Sequence, residues 1–88
     1  MADISSFPIT RLWPAADPGV IQLYSLPTPN GVKVSVMLEE LGLPYEAHRV
    51  DITRDENREP EFLSLNPYAK IPAIIDPNAA GGEPLALF

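Results

Sequence analysis

The sequence predicts an α/β domain: a parallel βαβ unit, then a short helix, then a β-hairpin. Three observations predict it. A β-rich run, Val20-Ile21-Gln22-Leu23-Tyr24, is bounded by turn-forming residues and reads as a short buried strand. Beyond it, Val34, Met37, Leu38 and Leu41 recur at i, i+3, i+4 and i+7, one face of a helix. After a tight turn, Tyr45 to Ile52 alternates loosely as a second strand, and two strands joined through a helix by short connections pair in parallel.

Each element follows from its residues. Residues 1–19, with Pro8, Pro14, Pro18 and Gly19, read as an irregular N-terminal extension preceding a domain at 20–88. Phe7, Ile9, Leu12 and Trp13 make it too apolar for a solvated tail, so it is expected to pack on the domain or on a partner. Thr28 is placed as a helix N-cap with Pro29 at the first helical position. Gly42 is the expected left-handed C-cap, and Pro44 prevents continuation. Thr53 to Glu61 reads as a charged, solvated loop, and Pro60 to Leu65 as one or two helical turns ended by Asn66-Pro67. Ile71 to Asp76 is a third strand with Pro72 at its entrance. Pro77 to Gly82 is a turn, and Pro84 to Phe88 begins a fourth strand. An apolar strand at the very end is expected of a chain cut at a domain edge, before a final helix.

Composition narrows the chemistry. Eighty-eight residues and 9.6 kDa bound one small domain. Twelve Asp and Glu against six Lys and Arg leave a net charge of −6, which speaks against a nucleic-acid or anionic-membrane surface. The absence of cysteine excludes a disulfide framework, a zinc-thiolate site and chemistry by a thiol of the chain itself, and a single histidine excludes a His-rich metal site. No run approaches the roughly 20 apolar residues of a membrane span, and no basic region followed by an apolar stretch marks a signal peptide. A soluble, cytoplasmic protein is the expectation. The carboxylates Asp51, Asp55, Glu56, Glu59 and Glu61 are interleaved with Arg54 and Arg58 and lack a calcium loop's fixed glycine, so they read as a solvated face, with no metal.

Five segments carry a resemblance: L-Y-S-L-P-T-P-N-G (Leu23 to Gly31), E-E-L-G-L-P-Y (Glu39 to Tyr45), P-E-F-L-S-L-N-P (Pro60 to Pro67), K-I-P-A-I-I-D (Lys70 to Asp76) and G-G-E-P-L-A-L-F (Gly81 to Phe88). In this order they resemble the thioredoxin-like N-terminal domains of glutathione transferases. P-T-P-N-G and G-G-E-P-L single out the bacterial nu-class enzymes and their yeast nitrogen-regulator relatives. The resemblance implies a glutathione site at the C-terminal ends of the strands. It gives Ile71 the cysteinyl backbone of glutathione through its main chain, makes the Ile71-Pro72 bond cis, and sets Lys70 beside the glycine carboxylate. An acidic-Ser pair for the γ-glutamyl group and an all-helical second domain are expected beyond Phe88.

The same resemblance offers Thr28 and Asn30 as the residues that meet the glutathione sulfur, at a helix start where a thiolate is favoured. Thr28 as a plain cap and Asn30 as a merely tolerated first-turn residue stand as the alternatives. Tyr24 is read as core, and His48 as structural or exposed. The function implied is activation of the glutathione thiolate, for transfer to a small electrophile or for glutathione-dependent disulfide reduction. The full-length protein is expected to be a homodimer, and the 88-residue chain alone inactive. A non-catalytic regulatory or binding module with the same fold is the alternative. A thioredoxin or glutaredoxin would need a cysteine at the first helix.

Overall fold

The computed structural model describes residue 4, residues 7–77 and residues 84–87. A 3-10 turn, Pro8–Arg11, precedes strand β1 (Ile21–Ser25), helix α1 (Pro29–Glu40) and strand β2 (Tyr45–Arg49). Two further 3-10 turns, Ile52–Arg54 and Glu56–Arg58, lead into the short helix α2 (Pro60–Leu65), then β3 (Ala73–Asp76) and β4 (Leu85–Leu87). The sheet order is β2-β1-β3-β4. β1 and β2 run parallel, while β3 is antiparallel to both β1 and β4, so the βαβ unit and the following antiparallel pair are in place. Of the turn expected over Pro77 to Gly82, residues 78–82 lie outside the described residues, as do Glu83 and Phe88.

Strand alternation divides the sheet into two faces. Tyr24, Ala73 and Ile75 point into a core shared with Ile4, Ile9, Val50, Phe62 and Leu65, with Ala86 packed against it. The N-terminal segment therefore packs on the domain and supplies part of its core. Where the sequence shows no regular element, the chain makes a 3-10 turn that carries the fully buried Ile9. Trp13 stands edge-on to Tyr24 and Phe62, with ring centroids 6.2 and 6.3 Å apart. Its Nε1 donates to the Arg49 carbonyl at 3.0 Å. Further along, the N–H groups of Ala16 and Asp17 donate to the two Glu46 oxygens at 2.9 and 2.8 Å. The segment is thus tied to the outer strand of the sheet.

Helix α1 begins and ends by local rules. Thr28 Oγ1 accepts the Gly31 N–H at 3.2 Å, and Pro29 occupies the first turn. At the far end Gly42 has φ 67°, and the N–H groups of Gly42 and Leu43 donate to the carbonyls of Glu39 and Leu38, a Schellman closure. The apolar face read from the periodicity needs correction. Leu38 is buried and Val34 half-buried, but Met37 and Leu41 are 61% and 63% exposed, alongside exposed Val32 and Val36.

Candidate functional site

Two chain segments meet at one end of the sheet. Register pairs Tyr24 with Ala73, so the residues leaving β1 toward α1 and the residues entering β3 lie at the same end. The first segment is Leu26-Pro27-Thr28; the second is Lys70-Ile71-Pro72. Gly31 allows α1 to start hard against the end of β1, since a Cβ there would collide with the Leu26 carbonyl oxygen and Ser25 Oγ.

The first turn of α1 leaves few main-chain donors. Pro29 has no N–H. The Gly31 N–H is taken by Thr28 Oγ1, and the Val32 N–H by the Thr28 carbonyl at 2.8 Å. Asn30 follows Pro29 in that turn. Its side chain, one of the candidate sulfur contacts, lies outside the described residues. A threonine hydroxyl has one hydrogen and two lone pairs. Capping engages a lone pair, so Thr28 keeps its O–H to donate. A hydroxyl hydrogen and the positive end of a helix favour an anion at this point.

The second segment is held from behind. Ala69 sits in the left-handed region at φ 57°, and the Ile71-Pro72 peptide bond is cis. Asn66, 2% exposed, donates from Nδ2 to the Lys70 carbonyl at 2.7 Å and accepts the Tyr68 N–H at 3.0 Å. Asn57 Nδ2 donates to the Ala69 carbonyl at 2.7 Å. Ile71 itself makes no main-chain hydrogen bond among the described residues, and its side chain packs against the core. Lys70 is exposed beside it. Both asparagines escape sequence reading; the only trace is Asn66-Pro67, which reads as a helix stop.

An open apolar groove beside Thr28 is lined by Pro27, Pro29, Val32, Val36 and Met37, together with Lys33; it does not extend to Lys70 or Ile71. Two polar groups stay out of the site. Tyr24 is fully buried, and its hydroxyl pKa is pushed well above the usual tyrosine range by burial and, secondarily, by the Glu46 charge. His48 stacks on Tyr24 with centroids 4.9 Å apart, and its Nε2 lies 2.7 Å from Gln22 Oε1. Gln22 already donates its amide to the Asp17 and Val20 carbonyls, so its oxygen is the acceptor and His48 carries its hydrogen on Nε2. Tyr24 is core, as the sequence indicates, and His48 is half-buried against it. Among the acidic residues, Asp51 caps the turn at Thr53 and Glu56 accepts the Asp51 N–H; the described residues contain no cluster able to hold a metal ion.

Strand order, the parallel βαβ start and the antiparallel pair that follows define a thioredoxin-like fold. Residues 28–86 match the family model for the glutathione S-transferase N-terminal domain, and the chain belongs to that family. It is 50% identical over 70 residues to the disulfide-bond oxidoreductase YfcG of Escherichia coli, covering 78% of this chain and 33% of that protein. It is 54% identical over 48 residues to protein URE2 of Candida glabrata, covering 54% and 14%. Among solved structures, a glutathione transferase from Pseudomonas putida, with one glutathione disulfide bound per subunit, superposes with a TM-score of 0.96 at 63% identity, over 99% of this chain and 38% of that one. One from Burkholderia graminis, with two glutathione molecules per subunit, gives 0.96 at 66% identity, over 100% and 37%. The chain thus spans a third or so of the length of YfcG and of these transferases, and a smaller part of URE2.

Proposed function

We propose that this chain is the glutathione-binding half of a glutathione transferase that activates the glutathione thiolate. The observation that carries the reading is the meeting of two groups at one end of the sheet: the Thr28 hydroxyl at the start of α1, and the main chain of Ile71, which makes no hydrogen bond among the described residues. In this reading Ile71 pairs with the extended cysteinyl part of glutathione and Lys70 meets the glycine carboxylate, with Pro72 directly after them at the entrance to β3. Thr28 and Asn30 receive the sulfur. Hydrogen bonds and the helix terminus stabilise the thiolate over the thiol, which lowers the thiol pKa and raises the nucleophilic fraction.

Two reactions use that thiolate. It attacks a small electrophile, forming a carbon–sulfur bond and displacing the leaving group. Or it attacks a disulfide, forming a mixed disulfide and releasing one sulfur as thiolate; a second glutathione then frees the other sulfur and leaves glutathione disulfide. Solved relatives that hold glutathione disulfide or two glutathione molecules support the disulfide branch. These 88 residues supply no cysteine to either reaction. We place it in the cytoplasm, where glutathione is kept reduced, and as a homodimer when full length. The test is calorimetric titration of the intact protein with glutathione, followed by turnover assays with a dialkyl disulfide and with an aryl halide. Binding with faster consumption of the disulfide is expected. Absence of binding overturns the reading, and binding without either turnover replaces the enzyme with a regulatory module.

A further inference from the structure

We infer that Asn57 and Asn66 are positioning residues that set the direction of the Ile71 main chain, an inference that rests on the glutathione reading above. A peptide unit is planar, so whatever pins a carbonyl also aims the N–H on the other side of the same bond. The Lys70 carbonyl, pinned at 2.7 Å by the buried Asn66 amide, shares its peptide plane with the Ile71 N–H. The preceding carbonyl, on Ala69, is pinned by Asn57 from a separate 3-10 turn. Two successive carbonyls are thus held by side chains from different parts of the chain. Between them and Asn66 lies Ala69, in a left-handed conformation that a residue with a Cβ keeps only when its surroundings hold it.

Asn57 is a poor choice for stability alone. Its Oδ1 is buried without a donor among the described residues, and an unpaired buried oxygen is unfavourable. What the residue contributes is the Nδ2 bond to the loop that carries Lys70 and Ile71. The two amides act through the Ile71 main chain and have no role in touching the ligand.

The experiment compares glutathione Kd in the intact protein with that of Asn57→Ala, of Asn57→Ser, whose hydroxyl is too short to reach the Ala69 carbonyl, and of Ile9→Val, which loosens the core elsewhere. Loss of one positioning hydrogen bond is expected to raise the Kd about fivefold in both Asn57 variants. The Ile71 amide resonance of the ligand-free protein should shift in the same two. Ile9→Val should leave Kd and resonance unmoved. Unchanged Kd in the Asn57 variants, with normal binding by the unmutated protein, overturns the clamp and leaves the glutathione reading standing. An equal rise in Ile9→Val overturns positioning in favour of general loosening. No binding by the unmutated protein overturns the reading and this inference together.

Discussion

Gly31 lies directly against the carbonyl oxygen of Leu26, with no room for a Cβ between them. This contact joins the first turn of α1 to the end of β1 and sets where the helix terminus points. Inside a helix, replacing glycine by alanine ordinarily stabilises by about 1 kcal/mol. Here the sign reverses. Gly31→Ala must push α1 away from the loop, and we expect a loss of about 1–3 kcal/mol, typical of overpacking. Urea unfolding of the intact protein reads it as a lower midpoint at unchanged slope.

The N-terminal segment is predicted to behave as part of the core. Trp13 contacts Tyr24 and Phe62 edge-on and ties its ring N–H to Arg49. Trp13→Ala should cost about 3 kcal/mol, the lower end of the range for a large aromatic because the ring is only partly buried. Trp13→Phe keeps a ring in place and loses the hydrogen bond, so about 1 kcal/mol is expected. Equilibrium unfolding of both variants gives the comparison; equal losses would show that the ring contacts do not matter.

Much of this was legible in the sequence, and the reasons differ by element. The start of α1 was legible because Thr28-Pro29 is a cap written in adjacent residues, and its end because Gly42-Leu43-Pro44 closes a helix locally. Met37 and Leu41 misled because periodicity gives the direction of an apolar stripe and says nothing of how far the facing surface extends. Trp13 was visibly too apolar to be solvated, yet its docking on β2 is a contact across 36 positions that no local pattern encodes. Asn57 was hidden for the same reason. Its partner, the Ala69 carbonyl, lies 12 residues on and depends on the path of the loop between them. Lys70, Ile71 and Pro72 were marked by family resemblance, and strand register places them at the same end of the sheet as Thr28.

Stability should fall as the solution is acidified below about pH 6.5, and His48 is the first cause. Burial lowers the His48 pKa, and the neighbouring Glu46 carboxylate only partly opposes it. The unfolded chain therefore takes up a proton near 6.5 that the folded chain refuses, and folding weakens as pH drops toward the lowered value. At lower pH Glu46 adds to the loss. Its own burial raises its pKa, but the N–H groups of Ala16 and Asp17, the His48 charge and Gln22 outweigh this, leaving it below its ordinary 4.5. A depressed carboxyl contributes stability above its unfolded value and loses it as pH falls through the folded one. Urea midpoints measured from about pH 7 to 5 should decline, and His48→Asn should flatten that part of the curve. A slope unchanged by His48→Asn would assign the decline to other groups.

The Thr28 hydroxyl is asked to cap α1 and to favour a thiolate at once, and the two roles separate by substitution. Thr28→Ser keeps the hydroxyl. Thr28→Val keeps the shape, removes the hydroxyl and forfeits about 1 kcal/mol of capping. The most direct measurement is the thiol pKa of glutathione bound to the intact protein, followed by the ultraviolet absorbance of the thiolate as pH is raised. The account predicts a value below the roughly 8.5 of an ordinary cysteine thiol in the unmutated protein and in Thr28→Ser, and a clear rise in Thr28→Val. An undepressed thiol in the unmutated protein, or the same depression in Thr28→Val, would contradict it.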